Sequence, residues 1–242
     1  MKVGFIGFGR LGQLIAQFLG QDFEIIAFDK LDKKNEMLEL GVKSGTLEDV
    51  CQQSVVIPFV PISEFEGLIK QIAPMVNPSA LILDVCSVKA HPVQAMKAYL
   101  PESVSIIGTH PMFGPDSAKD SLFGKKIVLC PVRVEKELFD KIKKYLAGHA
   151  MNVIEATPEE HDEQIAHSLL LAHYVGRALM EMDAQPLKID TLGYRRLINI
   201  LKTVRNDSWQ LFEDMNRYNQ FAPGVRHEFE RALKSVKDKI EK

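Results

Sequence analysis

The sequence predicts an α/β fold, an open, doubly wound, mostly parallel sheet followed by a smaller all-helical C-terminal domain. Three observations predict it. Short β-branched apolar runs alternate with helix-length segments through residue 156. Those near the start are apolar at almost every position, as strands covered on both faces by helices must be. From residue 157 onward no strand-like run appears. The expected domains are therefore 1–156 and 157–242.

The strands are expected at 3–6, 24–28, 54–59, 80–85, 104–108, 126–130 and 152–155, and the helices between them at 11–19, 33–40, 63–72, 92–99 and 135–146. Alternation of this kind builds βαβ units. Thr157-Pro158-Glu159-Glu160 then starts a helix, with Thr as N-cap, Pro at N1 and Glu at N3 closing a capping box. That helix is expected from 158 to about 182, followed by helices at 194–203, 208–216 and 224–240. A helical part of about 85 residues is small for an independent domain. Its apolar stripes (Ile165, Leu169, Leu170; Leu197, Ile198, Leu201) predict a homodimer through this part.

The 242 residues carry a net charge of −2, with 46% hydrophobic and 26% charged residues. No global field attracts nucleic acid or an anionic membrane. The three cysteines, Cys51, Cys86 and Cys130, are an odd number without CxxC spacing, which predicts buried thiols in a reducing cytoplasm. The first residues enter an apolar strand directly rather than a signal peptide. No apolar run approaches the ~18–20 residues of a membrane span, so a cytoplasmic protein is expected.

Gly7-Phe8-Gly9-Arg10-Leu11-Gly12 has the spacing of a phosphate loop, and its context raises it above chance. It follows the first strand, opens the first helix, and is followed by a second strand ending in Asp29. Gly7 permits the tight turn, Gly9 lets a pyrophosphate approach, and Gly12 allows close helix–strand packing. The helix N-terminus offers N–H groups and a positive dipole end. A Rossmann-like dinucleotide site follows. Asp29 can accept hydrogen bonds from the adenosine ribose and repel a 2′-phosphate, favouring NAD over NADP, although Lys30, Lys33 and Lys34 soften that discrimination. Lys30, Val60, Pro61, Cys86 and Ser87 complete the expected cofactor contacts.

Two segments follow strands at the expected carboxyl edge of the sheet, where such folds bind ligands. They are Asp84-Val85-Cys86-Ser87-Val88-Lys89 and Gly108-Thr109-His110-Pro111-Met112-Phe113-Gly114-Pro115. His110, at a strand end in a Gly/Pro-rich loop, suits proton abstraction near neutral pH. Ser87 could fix its tautomer or relay the proton. By spacing alone, a turn histidine and a helix N-cap serine explain the same residues equally well.

Ser87-Val88-Lys89, the run Thr109 to Pro115, Glu160-His161-Asp162 and His173 together resemble the prephenate/arogenate dehydrogenase family of tyrosine biosynthesis. The Thr-His-Pro-Met-Phe-Gly-Pro run and Gly193-Tyr194 most resemble the plant arogenate dehydrogenases. The resemblance covers residues 1 to about 221. It implies a cyclohexadienol substrate with a C4 hydroxyl and a C1 carboxylate. It further implies that His110 takes the hydroxyl proton, Ser87 hydrogen-bonds the hydroxyl and His110, and carboxylate loss aromatises the ring. Pro115 and Asp116 are then expected at the substrate.

His161, His167, His173 and Arg177 fall on the long helix without any metal-ligand spacing, so no metal is expected. His173 and Arg177 are four apart and share a face. The resemblance assigns His173 to substrate, and Arg177 is expected beside it. His161-Asp162 is expected to support structure near the site, and His167 to lie on the surface or at a dimer interface. Asp207, in Arg205-Asn206-Asp207-Ser208-Trp209, stands where the plant-type enzymes carry an acid, which would favour the ammonium of arogenate over the keto group of prephenate, although prephenate-type members can also carry an acid here. The same Asp207-Ser208-Trp209-Gln210 also reads as a capping box. Lys202 replaces the arginine that prephenate-type members carry five residues before this acid. The chain stops where some members add a regulatory domain, so any feedback by tyrosine would have to act at the active site.

Two other readings stay open at the level of sequence. A β-hydroxyacid or imine-type reductase would need a lysine or another acid on the first long helix, which offers histidines and no lysine. A non-catalytic NAD(H) sensor predicts cofactor binding without turnover.

Overall fold

The computed structural model describes residues 2–242. The chain divides into two compact units, one ending at Glu159 and one spanning Glu160–Lys242. The first contains β1 (Lys2–Ile6), α1 (Arg10–Leu19), β2 (Glu24–Phe28), α2 (Lys34–Glu39), β3 (Lys43–Ser44), α3 (Leu47–Cys51), β4 (Val55–Pro58), α4 (Ile62–Ile72) and β5 (Leu81–Asp84). It continues with α5 (Ala90–Tyr99), β6 (Ser105–Pro111), α6 (Pro115–Ala118), β7 (Lys126–Arg133), α7 (Lys136–Gly148) and β8 (Asn152–Glu155). The eight strands form one sheet in the order β3-β2-β1-β4-β5-β6-β7-β8. All neighbours are parallel except β6 and β7.

The expected doubly wound sheet is present. Chain order reverses at β1, which pairs with β2 on one side and β4 on the other, and a ligand crevice opens at such a reversal. Three short elements, β3, α3 and α6, had no periodic signal. β3 is only two exposed residues long. α3 did carry a signal in Thr46-Leu47-Glu48-Asp49, a reciprocal capping box in which Thr46 Oγ1 accepts the Asp49 N–H at 3.1 Å and the Asp49 carboxylate accepts the Thr46 N–H at 2.9 Å.

β6 departs from expectation. The strand was expected to end at 108, leaving His110 in a loop, but it continues to Pro111. The cause is β7, which folds back antiparallel and pairs His110 with Val128 and Pro111 with Ile127. His110 is therefore a ladder residue, its backbone paired with β7 two positions beyond the last β5–β6 pair at Gly108.

The second unit begins within α8 (Pro158–Ile165), which leads through a π-helical turn at Ala166–Leu170 into α9 (Leu171–Glu181). α10 (Leu192–Ile198), α11 (Leu201–Val204), α12 (Trp209–Tyr218) and α13 (Ala222–Ile240) follow. One regular helix from 158 to 182 was expected, and the π turn corrects that. The Ser168 hydroxyl donates to the Gln164 carbonyl at 2.6 Å, a back-bond that competes with the regular ladder. On an uninterrupted α-helix His161 and His173 would point about 120° apart. The wider turn lags that advance and swings them toward one side, and both are buried while His167 is exposed.

The stripes expected to need a second copy are largely covered within the chain. Ile165, Leu170, Ile198 and Leu201 are all buried, whereas Leu197 is 44% exposed. Close helix contact contributes to this cover. A Cβ on Gly176 of α9 would lie 2.9 Å from a Val204 methyl of α11, so only glycine lets the two approach. Among the described residues no helix is long and apolar enough to cross a membrane. All three cysteines are buried thiols, and burial pushes that of Cys51 up to about 11.

Candidate active site

The carboxyl ends of the parallel strands bring most of the sequence-predicted residues of the first unit to one edge of the sheet. Gly7, at φ +97°, occupies the left-handed region, and a Cβ there would lie 2.3 Å from the Phe59 carbonyl oxygen. A Cβ on Gly9 would meet nothing within 4 Å, which is the open space a pyrophosphate needs, and one on Gly12 would meet the Gly7 carbonyl at 3.0 Å. α1 starts at Arg10 with no acidic residue in its first turn, so its positive end is left for an anion. These features fit a dinucleotide.

Two loop residues play parts the spacing did not disclose. The Phe8 ring is wholly buried, and its N–H donates to Asp29 Oδ2 at 2.6 Å. Asp29 Oδ1 accepts the Leu31 N–H at 2.8 Å. The carboxylate at the end of β2 thus holds the loop after β1. Arg10 reaches Asp116 at 2.7 Å, joining the phosphate loop to α6, where Pro115 occupies the first turn. Lys30 reaches Glu64 at 3.0 Å, and Val60 and Pro61 form the turn into α4.

Beneath this edge lies a group the sequence reading passed over. Asp84, at the end of β5, and Lys89, just before α5, are both fully buried and ion-paired. The ammonium also donates to the Thr109 carbonyl at 2.5 Å, and Thr109 Oγ1 donates to the Asp84 carbonyl at 2.5 Å. Asp84 further accepts the Cys86 N–H at 3.0 Å and the Thr109 N–H at 3.2 Å. Burial raises the Asp84 carboxyl above its usual range, opposed by Lys89 and by these N–H donors. The pair fastens β5 to β6 at the residue preceding His110, itself 4% exposed. Cys86 is buried and Ser87 half-buried in the turn above it. Ser87 is not a helix N-cap, because α5 starts at Ala90.

In the second unit, His173 of α9 is 2% exposed, and its Nε2 lies 3.6 Å from Asp207 Oδ2. Burial lowers the His173 pKa below its ordinary 6.5, Asp207 acts to raise it, and Arg177 to lower it. His173 Nδ1 and Arg177 Nε are buried without hydrogen-bond partners. Arg177 Nη2 donates to the Asp207 carbonyl at 2.6 Å, and its guanidinium lies over the rings of Trp209 and Phe212. Asp207 is not the cap of α12. Ser208 is, its Oγ accepting the Leu211 N–H at 3.1 Å, and the Asp207 carboxylate turns to His173 instead. His161 pairs with Asp162 at 2.8 Å, both buried, and the Asp162 carbonyl accepts from Asn219 at 2.7 Å, a structural tie to the start of α13.

An open parallel sheet with a glycine-rich loop at its topological switch and an acid closing β2 defines a nucleotide-binding α/β protein. Residues 16–155 match the prephenate dehydrogenase nucleotide-binding domain, and the chain belongs to that family. Residues 178–242 match a TYRAAT1-like C-terminal domain. The chain is 29% identical to arogenate dehydrogenase 1, chloroplastic, of Arabidopsis thaliana, over 99% of its own length and 39% of that protein. It is 29% identical to a "Probable arogenate/prephenate dehydrogenase" of Methanocaldococcus jannaschii, over 96% of its own length and 55% of that protein. The chain thus spans roughly half or less of these two relatives. The crystal structure of prephenate dehydrogenase from A. aeolicus in complex with hydroxyphenyl propionate and NAD+ has the same fold. Its TM-score is 0.79 at 21% identity, covering 99% of this chain and 90% of that one.

Two outcomes are expected. Lys89→Met leaves the Asp84 charge buried without its cation and should destabilise the protein by about 3–5 kcal/mol in urea denaturation. Asp84→Asn combined with Lys89→Met should recover part of that loss, and a single variant as stable as the parent would contradict the assignment. The second outcome concerns His173. Its folded pKa is depressed, so the unfolded chain binds more protons below its ordinary value, and stability is lost as pH falls from 6.5 through the folded pKa. His173→Gln should therefore lose less stability than the parent between pH 7 and pH 5. An equal or larger loss would place the acid sensitivity elsewhere.

Proposed function

We propose that the chain catalyses the oxidative decarboxylation of arogenate, in preference to prephenate, with NAD+ as hydride acceptor. The products are tyrosine or 4-hydroxyphenylpyruvate, and the activity belongs to tyrosine biosynthesis. The observation that carries the reading is His110, buried on β6 at the carboxyl edge of a nucleotide-binding sheet, within the segment that resembles this family.

When bound, the nicotinamide supplies a two-electron acceptor for hydride from ring C4. His110 takes the proton of the C4 hydroxyl as hydride departs, leaving a ring carbonyl. The C1–carboxylate bond then breaks, its electron pair completes the aromatic ring, and the oxygen at C4 regains a proton from His110. CO2 and a phenol are released, and no net proton is consumed. Aromatisation drives the reaction, so the protein has chiefly to position groups and move one proton. Ser87 hydrogen-bonds the hydroxyl and orients His110. The buried Asp84–Lys89 pair supports this by denying the histidine's strand any freedom to shift. Substrate contacts are assigned to His173 and Asp207, together with Pro115 and Asp116.

NAD rather than NADP is supported by Asp29, whose carboxylate is committed to the phosphate loop and would repel a 2′-phosphate. The nearby Lys30 is already paired with Glu64. Arogenate rather than prephenate is supported by the Asp207 carboxylate and by Lys202.

Pairing of two copies through the helical unit is assigned to a surface that keeps only Leu197 of the stripes first expected to require it. Met182, Ile189, Leu192 and Leu197 are exposed apolar side chains close together in sequence. Ile189→Glu should shift sedimentation toward monomer if two copies meet there, and an unaltered dimer would exclude this patch. Three buried thiols outside any disulfide favour a reducing compartment such as the cytoplasm.

His110→Ala is expected to lower kcat by about 10²–10⁴-fold, the range for a positioned general base, with NADH affinity unchanged by fluorescence titration. Parental kcat/KM for NAD+ should exceed that for NADP+. Parent-like turnover in the variant, or a preference for NADP+, would overturn the respective assignment.

A further inference from the structure

Arg177 was expected to bind substrate, yet its guanidinium is engaged from several sides. Nη2 donates to the Asp207 carbonyl at 2.6 Å, the Ser208 carbonyl lies 3.5 Å away, and the aromatic rings of Trp209 and Phe212 lie 5.5 and 5.8 Å from its central carbon. All four are consecutive or near-consecutive residues at the start of α12. A planar fork that bonds backbone carbonyls and stacks on rings cannot be moved without moving the turn it holds.

That turn aims the Asp207 carboxylate. Ser208 takes over the capping of α12, which releases Asp207 from the role its position would otherwise give it. The carboxylate then lies 3.6 Å from a buried imidazole. Burial lowers the pKa of that imidazole, which favours the neutral form beside the Asp207 carboxylate.

We propose that Arg177 is a positioning residue for substrate selection: by holding the Asp207 and Ser208 carbonyls it sets the Asp207 carboxylate to meet a cationic side-chain end of the substrate. This rests on the dehydrogenase reading above and deepens it. Both cyclohexadienyl substrates carry a side-chain carboxylate, and only arogenate carries an ammonium. An arginine that bound the carboxylate directly would serve the two alike. One that acts through Asp207 serves arogenate alone.

The test compares Arg177→Met, Asp207→Asn and the double variant with both substrates, alongside hydrogen exchange of the 205–209 amides. Arg177→Met should lower kcat/KM for arogenate about 10- to 100-fold, the size of one misplaced charge-assisted contact. For prephenate the change should stay within about twofold, and the double variant should match Asp207→Asn within about twofold. The 205–209 amides should exchange faster in Arg177→Met, with α9 and α13 unchanged, and Arg177→Lys should restore part of both effects. Equal losses on the two substrates, additive losses in the double variant, or unchanged exchange would overturn the proposal. So would an Asp207→Asn variant that kept its substrate ratio. If the parent turned over neither compound, the dehydrogenase reading would fall, and with it the selective role. Exchange would still decide whether Arg177 holds the turn.

Discussion

A buried ion pair, Asp84 with Lys89, is the constraint on which the geometry of the first unit depends. Both groups are removed from water, which costs several kcal/mol for each unless every remaining lone pair and proton is matched. Here the matching is extensive: the carboxylate also accepts the Cys86 and Thr109 N–H groups, and the ammonium also reaches the Thr109 carbonyl. These partners lie on the end of β5, the turn that carries Ser87, and the strand that carries His110. A charge network satisfied in a single arrangement leaves the turn and the strand one relative placement. Gly108 makes room for it, because a Cβ there would press on Val93 at 3.0 Å and on the Asp84 carboxylate at 3.3 Å.

The same logic recurs elsewhere in the chain. Asp29, at the end of β2, holds the phosphate loop after β1. In the helical unit, Arg177 fixes a turn and thereby aims a carboxylate. In each case a charged side chain that looks available for ligand makes hydrogen bonds to backbone, and the backbone it holds determines what a neighbouring group can reach.

The sheet was legible because its strands are apolar runs punctuated by turns, and the phosphate loop because its glycines stand in the required strand–turn–helix setting. His110 was legible as a residue, but not as part of a strand, since only the antiparallel return of β7 extends β6 through it. The Asp84–Lys89 pair was hidden for another reason. Charged residues flanking a turn ordinarily face solvent, and nothing local says that these two are buried. Arg10 with Asp116, 106 positions apart, is a product of topology alone. The π turn at Ala166–Leu170 escaped because its residues fit a regular helical pattern and its cause, the Ser168 back-bond, is a choice of side-chain geometry. The apolar stripes at 165–170 and 197–201 could not disclose from sequence that the chain itself covers most of their side chains.

The central claim is that a buried histidine beside a dinucleotide site serves oxidation coupled to loss of a carboxylate. The most direct measurement supplies the purified chain with NAD+ and arogenate and follows NADH, CO2 and tyrosine together. The account predicts that the three appear in equal amounts and at the same rate, because hydride removal and decarboxylation belong to one aromatising event. NADH formed without CO2, or cofactor bound with neither arogenate nor prephenate consumed, would contradict it.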